Sequence, residues 1–200
     1  MLLTFLKGLG TGAGLIIAIG AQNAFVLSQS VRKNHVLTIA LICSLCDVLL
    51  ICIGISGIGA LVAKNVKLTT IATTGGAIFL FWYGFRSFLS AWKGGSIETD
   101  DNSLNSLKAV VIATLAVTFL NPHIYLDTIV LMGSISSKFP GTGRYVFGAG
   151  AITASFLWFF SLSFGGRALA PYFKEPVAWK VLDTLIGIIM WLIAISLIIN

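Results

Sequence analysis

Two acidic side chains lie deep inside apolar stretches of the sequence. Asp47 stands in "CSLCDVLLIC" and Asp127 in "HIYLDTIVLM", and neither has Lys or Arg within one helical turn. A carboxylate in the hydrocarbon of a bilayer costs about 2.5–3.5 kcal/mol on insertion scales, so such residues are candidates for a functional site. In a medium of low dielectric a carboxyl group also takes up a proton more readily than in water. The pair could therefore exchange a proton for a cation; the alternative is a structural role, hydrogen-bonded to Ser44, Thr128 or a backbone carbonyl.

The segment that contains Asp127 begins with "NPH" at residues 121–123. Asn121 is a favourable N-cap, and Pro122 fits the first turn of a helix that starts after it. Their position predicts a half-helix that begins inside the membrane, with its partly positive end suited to a substrate carboxylate. A purely structural proline kink is the alternative. His123 either joins a proton path or forms a hydrogen bond between helices.

A second group of amide and small residues, "GAQN" at 20–23, lies halfway along the first apolar segment. Backbone groups within lipid must all find internal partners, so a break there requires protein or a wet cavity around it. We expect the first span to break at this point and Gln22 and Asn23 to offer amide hydrogen bonds to a substrate.

The composition fixes the environment of the whole chain. Its 200 residues are 57% hydrophobic and 10% charged, whereas a soluble domain carries roughly 25% charged residues. This indicates an all-α integral membrane protein whose main partner is the lipid bilayer. The formal charge of +6 is spread over the connections and forms no patch, which argues against a nucleic-acid partner. We expect no metal and no cofactor.

Windows of about 20 apolar residues identify the segments that can cross a bilayer. Six are predicted, separated by short polar connections and one longer polar loop at 93–107. An excess of Lys and Arg on one side of the bundle favours both termini outside. The predicted spans are 4–29, 36–62, 69–91, 108–136, 145–166 and 180–199.

The two halves of the single domain, 1–200, resemble each other. With an offset of 108, "DVLLICIGISGIGAL" from Asp47 onward aligns with "SFLWFFSLSFGGRAL" from Ser155 onward. Three spans per half require the halves, about 1–95 and 105–200, to have opposite orientations in the membrane. An inverted repeat with broken helices in spans 1 and 4 is typical of transporters, with the site at the repeat interface.

Cysteine and glycine patterns leave further alternatives open. Cys43 and Cys46 form a C-x-x-C, which is inert when buried but would suit either a thiol relay across the membrane, as in a membrane thiol-redox protein, or a soft-metal site. Glycines at four alternate positions of the first span allow close helix packing, either within the bundle or across a homodimer. These are Gly8, Gly10, Gly12 and Gly14.

Two longer motifs carry a family resemblance. "LIIAIGAQNAFVLSQSVRKNHVL" and "TFLNPHIYLDTIVLMGS" resemble the LysE/ArgO family of L-lysine and L-arginine exporters. The resemblance implies a bacterial inner-membrane protein that exports these amino acids with the proton gradient, and not an enzyme. It also implies roles for the motif residues Gln22, Asn23, Asp47, Asn121, Pro122 and Asp127.

The sequence thus predicts an exporter of cationic amino acids that works by proton antiport. One of Asp47 and Asp127 would pair with the substrate's cationic side chain, and protonation would release it. An exporter of another small solute, such as a neutral amino acid or a metal cation, is the alternative transporter. The predicted substrate-binding residues are Gln22, Asn23, Asp47, Asn121, Pro122, His123 and Asp127, of which the two aspartates also carry the proton coupling.

Overall fold

The computed structural model describes residues 1–18, 20–57, 66–92, 106–173 and 175–199. Within these ranges the chain forms helices and no strands, which confirms the all-α prediction. Most of the predicted loop at 93–107 and the end of the second predicted span, 58–62, lie outside the described residues. The helices are α1 (Leu2–Ile16), α2 (Ala21–Val31), α3 (Val36–Ile55), α4 (Val66–Trp92), α5 (Leu107–Phe119), α6 (Pro122–Ser136), α7 (Gly143–Leu169) and α8 (Pro176–Ile199).

Both predicted breaks are present. The pair α1–α2 bends by 80° and the pair α5–α6 by 61°, each at a short interruption. Among the described residues, α3, α7 and α8 are individually long and apolar enough to cross a membrane, and the count rises to five if each bent pair is one span. The prediction of six spans is therefore supported by this test only in part.

Helix α4 is the predicted span that does not meet this test. Its 27 residues would extend about 40 Å at 1.5 Å per residue, so its length is sufficient. Its sequence includes several threonines and glycines, which lower its hydropathy. Large apolar side chains nevertheless lie exposed along it, among them Ile71, Ile78, Trp82, Phe85 and Leu89.

Close packing of α1 on α7 depends on two of the four predicted glycines. A Cβ atom on Gly8 would lie 1.9 Å from the carbonyl oxygen of Phe147, and one on Gly12 would lie 2.8 Å from the Cα of Ala151. Gly10 and Gly14 have no atom within 4 Å of such a Cβ. The contact within the bundle thus uses Gly8 and Gly12.

The core of the protein is built around the short helix α2. Phe25 and Val26 are completely buried and pack in a cluster with side chains of α3, α4, α5, α7 and α8. Eight of its 11 residues are buried, so α2 is enclosed on nearly every side. In contrast α6 exposes Leu126, Val130 and Leu131. The two broken spans therefore differ in how deeply their second halves are packed.

Candidate functional site

A cavity of about 330 Å³ lies between the two helix breaks. Its volume falls in the range of small-molecule sites, roughly 300–1,000 Å³. Side chains from both halves of the chain line it. Six of the seven residues predicted from the sequence are among them: Gln22, Asn23, Asp47, Asn121, His123 and Asp127. Pro122 lies between two of these residues in the chain but is not part of the lining.

Asn23 joins the two sides of the first break. Its Nδ2 donates to the carbonyl oxygens of Ile16 at 2.9 Å and Ala18 at 2.8 Å. Its Oδ1 accepts a hydrogen bond of 3.1 Å from Nε1 of Trp158 on α7. Since carbonyls at the end of a helix lack partners within it, the Asn23 amide satisfies groups that the break would otherwise leave open.

Asn121 and Pro122 start α6 as the sequence predicts. The Asn121 side chain accepts a hydrogen bond of 3.1 Å from the backbone N–H of His123, and Pro122 is the first helical residue. The hydroxyl of Tyr125 reaches back across the break and donates to the carbonyl oxygen of Phe119 at 2.6 Å. A tyrosine thus satisfies a helix-end carbonyl at the second break, as an asparagine does at the first.

Asp47 lies on α3 at the wall of the cavity, and it is only 3% exposed. Its carboxylate accepts a hydrogen bond of 2.7 Å from the hydroxyl of Ser155 on α7. No basic side chain in the described part of the chain forms an ion pair with it. This carboxyl group therefore faces the cavity with one neutral partner.

Asp127 lies in a π-helical segment, Tyr125–Leu131, within α6. Such segments are rare and are frequent at functional sites. The side chain is half-buried, and among the described residues it forms neither a hydrogen bond nor an ion pair. Beyond this segment Gly133 meets α3 so closely that a Cβ atom on it would lie 2.6 Å from the carbonyl oxygen of Gly54.

Gln22 and His123 both line the cavity. Nε2 of Gln22 donates to the hydroxyl of Thr118 on α5 at 3.1 Å, which ties the two broken spans together. His123 is exposed and lies one turn before Asp127 in the sequence of α6. Its place in the lining is compatible with either of its predicted roles.

A third buried acid, Asp183 of α8, is not among the residues predicted from the sequence, and it is 1% exposed. It forms an ion pair with Arg32, at the end of α2, and accepts a hydrogen bond of 2.6 Å from Ser90 of α4. The Arg32 guanidinium lies over the ring of Trp179, 4.9 Å from its centre. Because Lys180 is one turn away in the sequence, Asp183 did not meet the criterion that selected the other two aspartates.

The three cysteines are free, with Cys43 and Cys46 buried and Cys52 exposed. The C-x-x-C motif places its two thiols one turn apart on α3. No group of three or more metal-binding side chains occurs among the residues that the structure describes.

Comparison with known proteins assigns the family. The profile described as "LysE type translocator" matches residues 13–200. YggA of Aeromonas salmonicida, named as a candidate amino-acid transporter, is 46% identical over 198 residues, which cover 98% of this chain and 96% of that protein. The arginine exporter protein ArgO of Serratia proteamaculans is 40% identical over 98% of this chain and 97% of its own length. The ArgO of an Enterobacter species is 41% identical over 98% of this chain and 94% of its own length.

No solved structure matches the chain. With almost its whole length covered, the chain belongs to the LysE type translocator family.

Proposed function

We propose that the protein exports the cationic amino acids L-lysine and L-arginine across the bacterial inner membrane in exchange for protons. The main observation in support is the cavity between two broken helices, which holds Asp47 and Asp127 with no ion pair to Lys or Arg among the described residues. Ionisable residues of this kind inside a membrane mark substrate or proton pathways. Relatives that cover nearly the full chain are named arginine exporters, which supports a cationic substrate.

An inverted repeat of three spans in each half is part of the proposal. Asp47 and Ser155 correspond at the offset of 108, and their side chains form a hydrogen bond with each other. Equivalent residues that touch must lie near the axis that relates the two halves. The proposal also makes α4 the sixth span, supported by its length and its exposed apolar side chains, and it treats the whole chain as one domain.

The cavity has groups that can bind both the cationic side chain and the α-carboxylate of a basic amino acid. The cationic side chain would pair with the carboxylate of Asp47 or Asp127, through charge-assisted hydrogen bonds. The α-carboxylate would approach the start of α6, at Asn121 and Pro122, where the helix dipole favours an anion. Gln22 and His123 would complete the polar wall, while Asn23 would hold the first break in shape through its bonds to α1.

Proton exchange has a simple electrical advantage. Moving one positive charge outward against an inside-negative potential costs about 2.3 kcal/mol per 100 mV. A proton that enters for each substrate cation that leaves cancels this electrical term, so the pH gradient and the substrate gradient drive the exchange. A carboxyl that binds either the substrate cation or a proton, but not both, provides the coupling.

Transport by the purified protein in proteoliposomes tests the proposal. We expect counterflow of radiolabelled lysine and arginine, accompanied by proton movement that a trapped pH-sensitive dye reports. Asp47→Asn and Asp127→Asn should each abolish the exchange. If both variants exchange either amino acid at the parental rate, the assignment of the site is wrong.

Two controls accompany these variants. Ser155→Ala removes the hydrogen bond to Asp47 but keeps the carboxyl group, so exchange should be weakened and not abolished. Replacement of Cys43, Cys46 and Cys52 by Ser should leave exchange intact, because the proposal gives the thiols no role. Competition by unlabelled neutral amino acids or metal cations as strong as that by lysine would instead support a different substrate.

A further inference from the structure

The interior between the cavity and the far end of α2 contains three buried serine hydroxyls without a hydrogen-bond partner among the described residues. They belong to Ser30, Ser44 and Ser163. Ser30 is close to the end of α2, Ser44 is one turn from Asp47 on α3, and Ser163 is two turns beyond Ser155 on α7. All three therefore lie on the same side of the cavity.

Buried polar groups in proteins are almost always hydrogen-bonded, and each exception needs an explanation. A hydroxyl that lines a passage would lose its water partners when the passage closes. The contact between α2 and α7 is tight at this place, since a Cβ atom on Gly166 would lie 2.8 Å from the Cβ of Ser30. The three serines thus fit the walls of a passage that α2 closes in this structure.

Beyond the serines, the end of α2 is fastened to two other helices. Arg32 forms its ion pair with Asp183 on α8, and Ser90 on α4 donates to the same carboxylate. Nε2 of Gln29 donates to the hydroxyl of Tyr83 on α4 at 3.1 Å. These contacts hold α2 in its enclosed position, in contrast to α6, which leaves one face exposed.

We propose that α2 is a gate and that the ion pair of Arg32 with Asp183, supported by Ser90, is the latch that keeps it closed. When the latch opens, α2 moves relative to α7 and α8, and water and substrate pass along Ser30, Ser44 and Ser163 to the cavity. The gate faces the side of the membrane opposite to both chain termini. If the termini are outside, as the distribution of basic residues predicts, this is the cytoplasmic side from which an exporter loads.

Cysteine accessibility in membrane vesicles tests this gate without any transported substrate. In a chain whose own three cysteines are replaced by Ser, Ser163→Cys should react slowly with a membrane-impermeant maleimide. Adding Arg32→Gln or Asp183→Asn should accelerate labelling from the side of Arg32 by about tenfold or more, because removing one partner of a buried ion pair strongly destabilises the arrangement that buries the other. Ser90→Ala, a milder change, should give a smaller increase.

Lys180→Gln is the matched control, since Lys180 is exposed on the same helix one turn from Asp183, and labelling should stay at the parental rate. Exchanging the charges, with Arg32→Asp and Asp183→Arg together, should restore protection. Equal labelling of Ser163→Cys in all the latch variants and the parent would overturn the proposal, whether that labelling is fast or slow.

The inference rests on the proposed function only for the identity of what passes the gate. If lysine and arginine show no counterflow while the latch variants still expose Ser163→Cys, the proposed substrate is wrong and the gate stands. If counterflow occurs and the latch variants leave the labelling unchanged, the gate is wrong and the proposed function stands.

Discussion

Two glycines of α1 contact α7 and two do not, and this difference allows a direct test of how the helix is packed. In Gly8→Ala the new Cβ would lie 1.9 Å from a backbone oxygen of α7, and ordinary contact begins at 3.4 Å, so the helices must separate by about 1.5 Å. In Gly10→Ala the new Cβ meets no atom within 4 Å. Both variants gain about 0.8–1 kcal/mol in helix propensity. Their difference therefore isolates the cost of overpacking, about 1–3 kcal/mol.

For a chain of this size, 1 kcal/mol corresponds to about 2–4 °C in the midpoint of thermal unfolding. We expect Gly8→Ala to unfold about 2–12 °C below Gly10→Ala when both are heated in the same detergent. Tryptophan fluorescence or the loss of the monodisperse peak in size-exclusion chromatography would report the midpoint. The pair Gly12→Ala and Gly14→Ala should repeat the difference. If both members of each pair unfold at the same temperature, α1 does not pack on α7 through these glycines.

Two further substitutions examine the helix breaks. Asn23→Ala removes the donor for the carbonyls of Ile16 and Ala18, one in a partly buried and one in an exposed hydrogen bond, and should cost about 0.5–1.5 kcal/mol for each bond lost. Asn23→Asp should cost as much, because an ionised carboxylate accepts from Trp158 but cannot donate. Thermal unfolding that is unchanged in Asn23→Asp would contradict the bracing role. Tyr125→Phe deletes the single hydrogen bond to Phe119 and should cost about 0.5–1.5 kcal/mol, whereas Tyr145→Phe, at a tyrosine that is 60% exposed, should unfold like the parent. Equal midpoints for the two tyrosine variants would show that the bond across the second break contributes nothing.

The positions of the breaks could be predicted because they depend on local chemistry. Asn121 and Pro122 specify a cap and a first helical turn by their own conformational preferences, and the structure uses them in this way. The sequence predicts that the amide of Asn23 offers hydrogen bonds to a substrate, whereas in the structure this amide binds groups of the protein itself. Those groups are the carbonyls of the preceding half-helix and the indole of Trp158, and only the fold brings the indole there.

The features that could not be predicted from the sequence are those that depend on tertiary contacts. Asp183 has a basic neighbour in the sequence, Lys180, yet its actual partner is Arg32, which is 151 positions away. The π-helical segment around Asp127 has no residue signature, because its hydrogen-bond pattern depends on how α6 fits against α3. The four glycines of α1 looked equivalent as a pattern, and only the position of α7 distinguishes Gly8 and Gly12 from the other two.

The π-helical segment Tyr125–Leu131 has a consequence for how the length of this chain can vary. Deleting one residue there could restore a regular α-helix, but it would rotate everything on one side of the deletion by about 100° relative to the other. Gly133 would then turn away from Gly54, or Asp127 would turn away from the cavity. Because Tyr125 bonds across the break at the start of the segment and Gly133 packs on Gly54 just beyond its end, substitutions within the segment should be tolerated far better than insertions or deletions.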